Sequence, residues 1–133
     1  MKTIYIGHPL MGSTDEAKAL GFGNIEENIE RYLLFVAWAS NNGFTVISWV
    51  HHPLCHQRGL TKGDADFYLT RDKKLMEPAD LFWQCGPVES SSGLVYELDV
   101  CDEFDIPIIH RPEWNDPTFM PDPFSPLPDE VLR

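Results

Sequence analysis

The chain has 133 residues, of which 43% are hydrophobic and 12% aromatic, and carries a net charge of −11. This length fits a single domain that buries roughly two-thirds of its unfolded-chain surface, and the composition excludes a disordered chain. The acidic balance excludes non-specific binding to a nucleic-acid backbone, which needs clustered Lys and Arg, but leaves room for a single nucleotide held by a few backbone N–H groups.

Met1 to Gly7 is too short and too soon interrupted for a signal peptide. Lys2 to Ile6 is β-branched and aromatic, and its end at Gly7 predicts a first strand. Gly7 to Gly23 holds four glycines and a proline and reads as a loop across the top of a sheet. Asn24 is an N-cap followed by Glu26 and Glu27, and Ile25, Ile29, Leu33 and Val36 recur at helical spacing, so an amphipathic helix is expected over about 25–41. Asn41-Asn42-Gly43 closes it. Phe44 to Val50 is a second strand, His51 to Gly63 a polar loop, and Asp64 to Glu77 a second helix stopped by Pro78. Ala79 to Cys85 is a buried third strand, Gly93 to Phe104 a third helix, and Ile106 to His110 a fourth strand with Pro107 tolerable at an edge.

This β-α-β-α-β-α-β order predicts an α/β fold, a single-domain Rossmann-like (flavodoxin-like) three-layer sandwich. Its parallel sheet would have about four to five strands, with helices on both faces. Ligands in such sheets sit beyond the carboxyl ends of the strands, where the loops Gly7–Gly23, His51–Gly63 and Gly86–Ser92 converge. Residues 1–110 form this domain; 111–133, with six of the eleven prolines, form an acidic arm that is extended for most of its length. The arm is ordered if Trp114, Phe119 and Phe124 find grooves on the same subunit or a neighbour, and is otherwise a disordered terminus. No apolar run approaches the roughly 20 residues of a membrane helix. Cys55, Cys85 and Cys101 lack framework spacing and read as reduced thiols in a cytoplasmic protein.

The stretch Ser90-Ser91-Ser92-Gly93-Leu94-Val95-Tyr96-Glu97 carries the most chemistry. A strand, a Ser/Gly turn and a helix start make an anion or hydroxyl cradle, because free N–H groups and the helix dipole point at the turn. Glu97 lies one turn into that helix, either as a functional carboxylate or as an early-helix Glu favoured by the dipole. Asp72 sits in a charge run with Arg71, Lys73 and Lys74 and reads either as a site residue or as part of a solvated face. Asp80 reads as structural. Trp38, Trp49 and Trp83 read mainly as core, although the strand that carries Trp83 leads directly into the turn. His51, His52, Cys55 and His56 have the residue types of a zinc site, but no second pair completes it; no metal and no cofactor are expected.

Tyr5-Ile6-Gly7, Arg71-Asp72, Ala79-Asp80 and Ser91-x-Gly93-x-x-x-Glu97, in this order, resemble the nucleoside 2-deoxyribosyltransferase-like superfamily. Asn24-Ile25-Glu26-Glu27-Asn28-Ile29-Glu30-Arg31 is similar to its uncharacterised phage and bacterial members. The resemblance spans residues 2–110. It implies a nucleoside or nucleotide as small-molecule partner, with Glu97 as nucleophile and Asp72 as the second acidic residue. Ser91, Ser92 and Gly93 would hold a phosphate or hydroxyl, and Tyr5, Gly7 and His8 would wall the sugar pocket. Tyr5 and Gly7 read equally as core and turn. The sequence departs from the monophosphate glycosidases of that superfamily in lacking an Arg after the first strand; His8 is the only substitute there. The resemblance also implies a homodimer or larger homo-oligomer.

Overall fold

The computed structural model describes residues 2–49, 54–55, 58–60 and 65–132. Strand β1 (Thr3–Gly7) leads through a short helix α1 (Asp15–Ala19) to the long helix α2 (Ile25–Asn41) and strand β2 (Thr45–Ile47). Helix α3 (Ala65–Met76), strand β3 (Leu81–Gln84), helix α4 (Ser92–Phe104) and strand β4 (Ile108–His110) follow. Two 3-10 turns (Val88–Ser90 and Pro112–Asn115) and a terminal helical turn α5 (Asp129–Leu132) complete the elements.

The four strands pair in parallel in the order β2-β1-β3-β4. Right-handed crossovers then put α2 on one face and α3 and α4 on the other; α2 packs on β1 and β2, and α3 packs against α4. The pleat sorts the core between these faces. Tyr5 lies opposite Phe82 and stacks on it with ring centroids 5.9 Å apart. Trp83, opposite Ile6, turns the other way and meets Trp38 at 6.0 Å and Trp114 at 5.4 Å. Gly7 is required by packing: a Cβ there would lie 2.3 Å from Phe82 and 2.8 Å from Leu94.

Helix α2 forms for the local reasons its sequence gives. The Asn24 carboxamide oxygen accepts from the Glu27 N–H at 3.0 Å. Asn28, Arg31, Tyr32, Phe35, Trp38 and Ala39 are its buried face. Gly43 takes φ +92 just past its end, a conformation that glycine adopts without strain.

The elements differ from expectation in four places. The loop Gly7–Gly23 contains helix α1, started by Thr14, whose hydroxyl accepts from the Ala17 N–H at 3.1 Å. Strand β2 is shorter than 44–50: the Phe44 N–H still closes α2 on Ala39 O, and the Trp49 side chain turns back to donate to Ile6 O at 2.5 Å. Strand β3 starts at Leu81, and Asp80 just before it ties to β1 at Thr3, its N–H donating to Thr3 O and its carboxylate accepting from the Thr3 N–H, each at 2.8 Å. Strand β4 starts at Ile108 because the Ile106 N–H closes α4 on Cys101 O.

The segment from Arg111 packs on its own chain, along α2. Trp114 is fully buried, Phe119 packs on the core, and Leu127 and Val131 join it, whereas Phe124 is 87% exposed. The backbone of this segment is tied down by side chains of α2 and its cap. Trp38 donates to Ser125 O at 3.1 Å, Asn41 to Pro123 O at 2.9 Å, and Asn42 to Ser125 O at 3.2 Å. Among the described residues no helix is long and apolar enough to cross a membrane.

Candidate functional site

A cavity of about 230 Å³ opens beyond the carboxyl ends of β1 and β3, where a parallel sheet places its ligands. One wall is the chain after β1, from His8 to Thr14; another is the Ser90–Gly93 turn. Trp49, Asp72 and Glu97 are the other described residues of the lining. The first wall is fixed by Gly12, whose φ of +63 turns the chain so tightly that a Cβ would lie 2.4 Å from Phe22 O. Asn28 holds both ends of that bend, donating to Leu10 O at 3.0 Å and Phe22 O at 2.9 Å.

Glu97 is the sixth residue of α4 and only 5% exposed. It therefore lies beyond the first turn, where the helix dipole acts, and the dipole gives no account of a buried carboxyl there. Burial pushes its pKa up to about 8; the Tyr5 hydroxyl opposes that shift, and the charge of Asp72 adds to it. Asp72, from the exposed-looking charge run, is half-buried at the cavity, and burial raises its pKa to about 6 against the pull of Arg71. The Tyr5 hydroxyl stands beside Glu97 but reaches no full hydrogen-bond geometry, so the pair is a loose contact. Burial first, then the neighbouring carboxyls, raise the Tyr5 pKa well above its ordinary value, and Tyr5 stays a neutral phenol.

The Ser-rich turn divides its labour. The Ser90 hydroxyl donates to Pro87 O at 2.6 Å and locks the turn. The Ser91 hydroxyl caps α4 by accepting from the Leu94 N–H at 3.3 Å. The N–H groups of Ser92 and Gly93 lie in the first turn, where no intrahelical acceptor exists. Gly93 has no internal packing reason to be glycine: a Cβ there would meet only Ser91 Oγ, at 3.3 Å, and its φ lies outside the left-handed region. Glycine in a helix costs stability relative to alanine, so its open flank toward the cavity is what distinguishes this position.

His8 lies in the cavity wall and is 2% exposed. Its Nδ1 is 2.6 Å from Pro9 O and its Nε2 2.8 Å from Arg31 Nη1. Since the carbonyl only accepts and the guanidinium only donates, His8 carries its proton on Nδ1 and accepts at Nε2. Burial, with the Arg31 charge adding, lowers its pKa to about 3, so the ring is neutral.

Arg31 is the residue that sequence reasoning did not single out. It is 1% exposed. Its Nη1 reaches His8 and Cys85 O (2.6 Å), its Nη2 Trp114 O (2.5 Å) and Asp116 O (3.1 Å), and its Nε Phe119 O (2.9 Å). These partners account for all five N–H donors of a guanidinium. The cation also lies over the Phe22 and Phe35 rings, at 5.4 Å and 5.0 Å. Its acceptors come from five residues, three of them in the tail. The apolar stripe read from the sequence, Ile25, Ile29, Leu33 and Val36, puts Arg31 on the far side of α2, so nothing in the sequence marks it. The structure instead buries Asn28, Arg31, Tyr32, Phe35, Trp38 and Ala39 and leaves Leu33 51% exposed.

The structure thus brings Glu97, Asp72, His8, Ser91, Ser92 and Gly93 to one cavity. Tyr5 stands behind Glu97 instead of in the lining, and Gly7 serves packing. Trp83 belongs to the aromatic core, and Trp49, read as core, forms part of the cavity wall. Of the His/Cys cluster, His51, His52 and His56 lie outside the described residues, and among the described residues no group of three metal-ligating side chains occurs. No family model, curated protein or solved structure matches this chain.

Proposed function

We propose that this cavity cleaves the base–sugar bond of a nucleoside or nucleotide, as an N-glycosidase or deoxyribosyltransferase, with Glu97 as nucleophile. The observation that carries the reading is the pairing of a buried Glu97 with Asp72 at one cavity, with pKa values of about 8 and about 6. Between those values the pair holds one proton and one negative charge. Displacement of a base needs that complement: a carboxylate to attack and a proton for the leaving group.

A Glu97 oxygen attacks the anomeric carbon while the C–N bond breaks and its electron pair leaves with the base nitrogen. Between about pH 6 and 8 the shared proton sits on Glu97 and Asp72 is the anion, so Asp72 takes that proton as the Glu97 oxygen attacks and hands it on to the departing base nitrogen. The resulting glycosyl ester is then opened by water, giving free sugar, or by a second base, giving a new nucleoside. Ser92 and Gly93 line the cavity at the helix end, where first-turn N–H groups lack an intrahelical acceptor and suit a sugar hydroxyl or phosphate. The turn that carries them is locked by Ser90, which supports positioning of the sugar against Glu97.

The test is product analysis. Deoxynucleosides and their monophosphates are incubated with the protein, with and without a second free base, and free base, free sugar and new nucleoside are measured. The account predicts base release that is lost in Glu97→Gln. No turnover across the panel, or full activity in the variant, overturns it. One observation favours a second reading, a nucleotide-binding protein without catalysis: a carboxyl protonated at neutral pH also serves as a fixed hydrogen-bond donor. Calorimetric binding with no product over hours selects that reading.

A further inference from the structure

We propose that Arg31 is a specificity-determining residue: by donating to His8 Nε2 it fixes His8 as a neutral imidazole, leaves the wall formed by the described residues without a cationic side chain, and so selects ligands without a phosphate. The inference deepens the glycoside-cleaving reading and rests on it for the identity of the ligand.

The argument is geometric. His8 is the one basic side chain in the cavity lining among the described residues; no Lys or Arg stands there. Protonating His8 would place an N–H on Nε2, 2.8 Å from a guanidinium nitrogen that has only N–H to offer. Arg31 cannot turn away, because its other donors are held by Cys85, Trp114, Asp116 and Phe119. Nor can His8 turn, because its Nδ1 is held by Pro9 O. The rings of Phe22, Tyr32 and Phe35 lie with centroids 6.1 to 6.4 Å away in edge or tilted contact, none stacked on it, and carry no counter-charge. Among the described residues, the rest of the lining is neutral hydroxyls, apolar side chains and the two carboxyls. A phosphate entering there would meet the helix-end N–H groups but, among the described residues, no cationic side chain to offset the two carboxyls, whereas an unphosphorylated sugar takes the same N–H groups and hydroxyls without bringing charge against those carboxyls.

Two measurements test this. The first is nitrogen NMR of the His8 ring between pH 8 and 5. The inference predicts a protonated Nδ1, an acceptor-like Nε2 and no titration across that range. Protonation near the ordinary value of about 6.5, or a proton on Nε2, overturns it. The second is calorimetry at pH 7.5 with deoxynucleosides and their 5′-monophosphates, on Glu97→Gln protein, whose amide mimics the protonated carboxyl. The nucleosides are expected to bind about tenfold tighter or more than the monophosphates. Met11→Arg, at a 44% exposed position of the same wall, is expected to close that gap by supplying the missing cation. Monophosphates that bind as tightly as nucleosides without that substitution overturn the inference and leave the glycoside reading standing. If no ligand of either kind binds, the glycoside reading falls, and the NMR result still decides whether Arg31 holds His8 neutral.

Discussion

Replacing Glu97 by Gln should stabilise the fold, and increasingly so as the pH rises. In the unfolded chain this carboxyl titrates at its ordinary 4.5; in the folded chain it titrates at about 8. Below pH 4.5 both states hold the proton and no penalty arises. Between 4.5 and 8 only the unfolded chain releases it, so the native state loses up to about 1.4 kcal/mol per pH unit. From pH 5 to pH 8 that amounts to about 3 to 4 kcal/mol, an appreciable part of the 5 to 15 kcal/mol typical of a domain. Gln does not titrate, so the variant lacks this slope. Urea unfolding of both proteins at pH 5, 6, 7 and 8 reads the difference directly. The stability gap, variant minus wild type, should widen across the series by about that amount, whatever the offset at pH 5 from exchanging a carboxyl for an amide. A gap that stays constant would show that Glu97 ionises normally, and the shared-proton mechanism would fail with it.

Three further outcomes follow from the same geometry. The pH profile of kcat/KM should be bell-shaped, rising near 6 and falling near 8, since activity needs one proton on the Asp72–Glu97 pair; a flat profile over pH 5 to 9 contradicts that pairing. Gly93→Ala should leave thermal stability unchanged or raise it by up to about 1 kcal/mol while weakening ligand binding, because Gly93 lines the cavity and the added methyl would meet no packed atom except Ser91 Oγ, at 3.3 Å; unchanged binding would return Gly93 to an ordinary helix position. Trp114→Ala should destabilise by about 3 to 5 kcal/mol, whereas Phe124→Ala, at an 87% exposed ring, should stay within about 0.5 kcal/mol; equal effects in denaturant unfolding would refute the packing of the tail described above.

What could be read from the sequence was local. The Asn24 cap, the 3.6-residue apolar spacing of α2 and the alternation of strands with helices are set by neighbours a few residues apart, and they fix the α/β sheet. The Ser90–Glu97 stretch was legible for the same reason. Helix α1 was hidden because its five residues lie between Gly12 and Gly21, where a loop is the natural reading, although Thr14-Asp15-Glu16 is a capping signal. Two features of the site depended on distant partners. Asp72 sits in a run of charges that reads as solvated, and only the fold half-buries it beside Glu97. Arg31 is the stronger case: its acceptors lie 23 to 88 residues away in the chain, so no local pattern marks it as a hub. The tail likewise gave its prolines and aromatics, but not the α2 side chains that hold its carbonyls.

The central claim is that Glu97 attacks the anomeric carbon, and trapping the glycosyl ester tests it most directly. A 2-fluorinated deoxynucleoside slows breakdown of such an ester, and peptide mass mapping after an acid quench locates the added sugar. The account predicts a sugar mass on the peptide that contains Glu97, absent in Glu97→Gln. Base release with no adduct, or with the adduct on the peptide that contains Asp72, would contradict it.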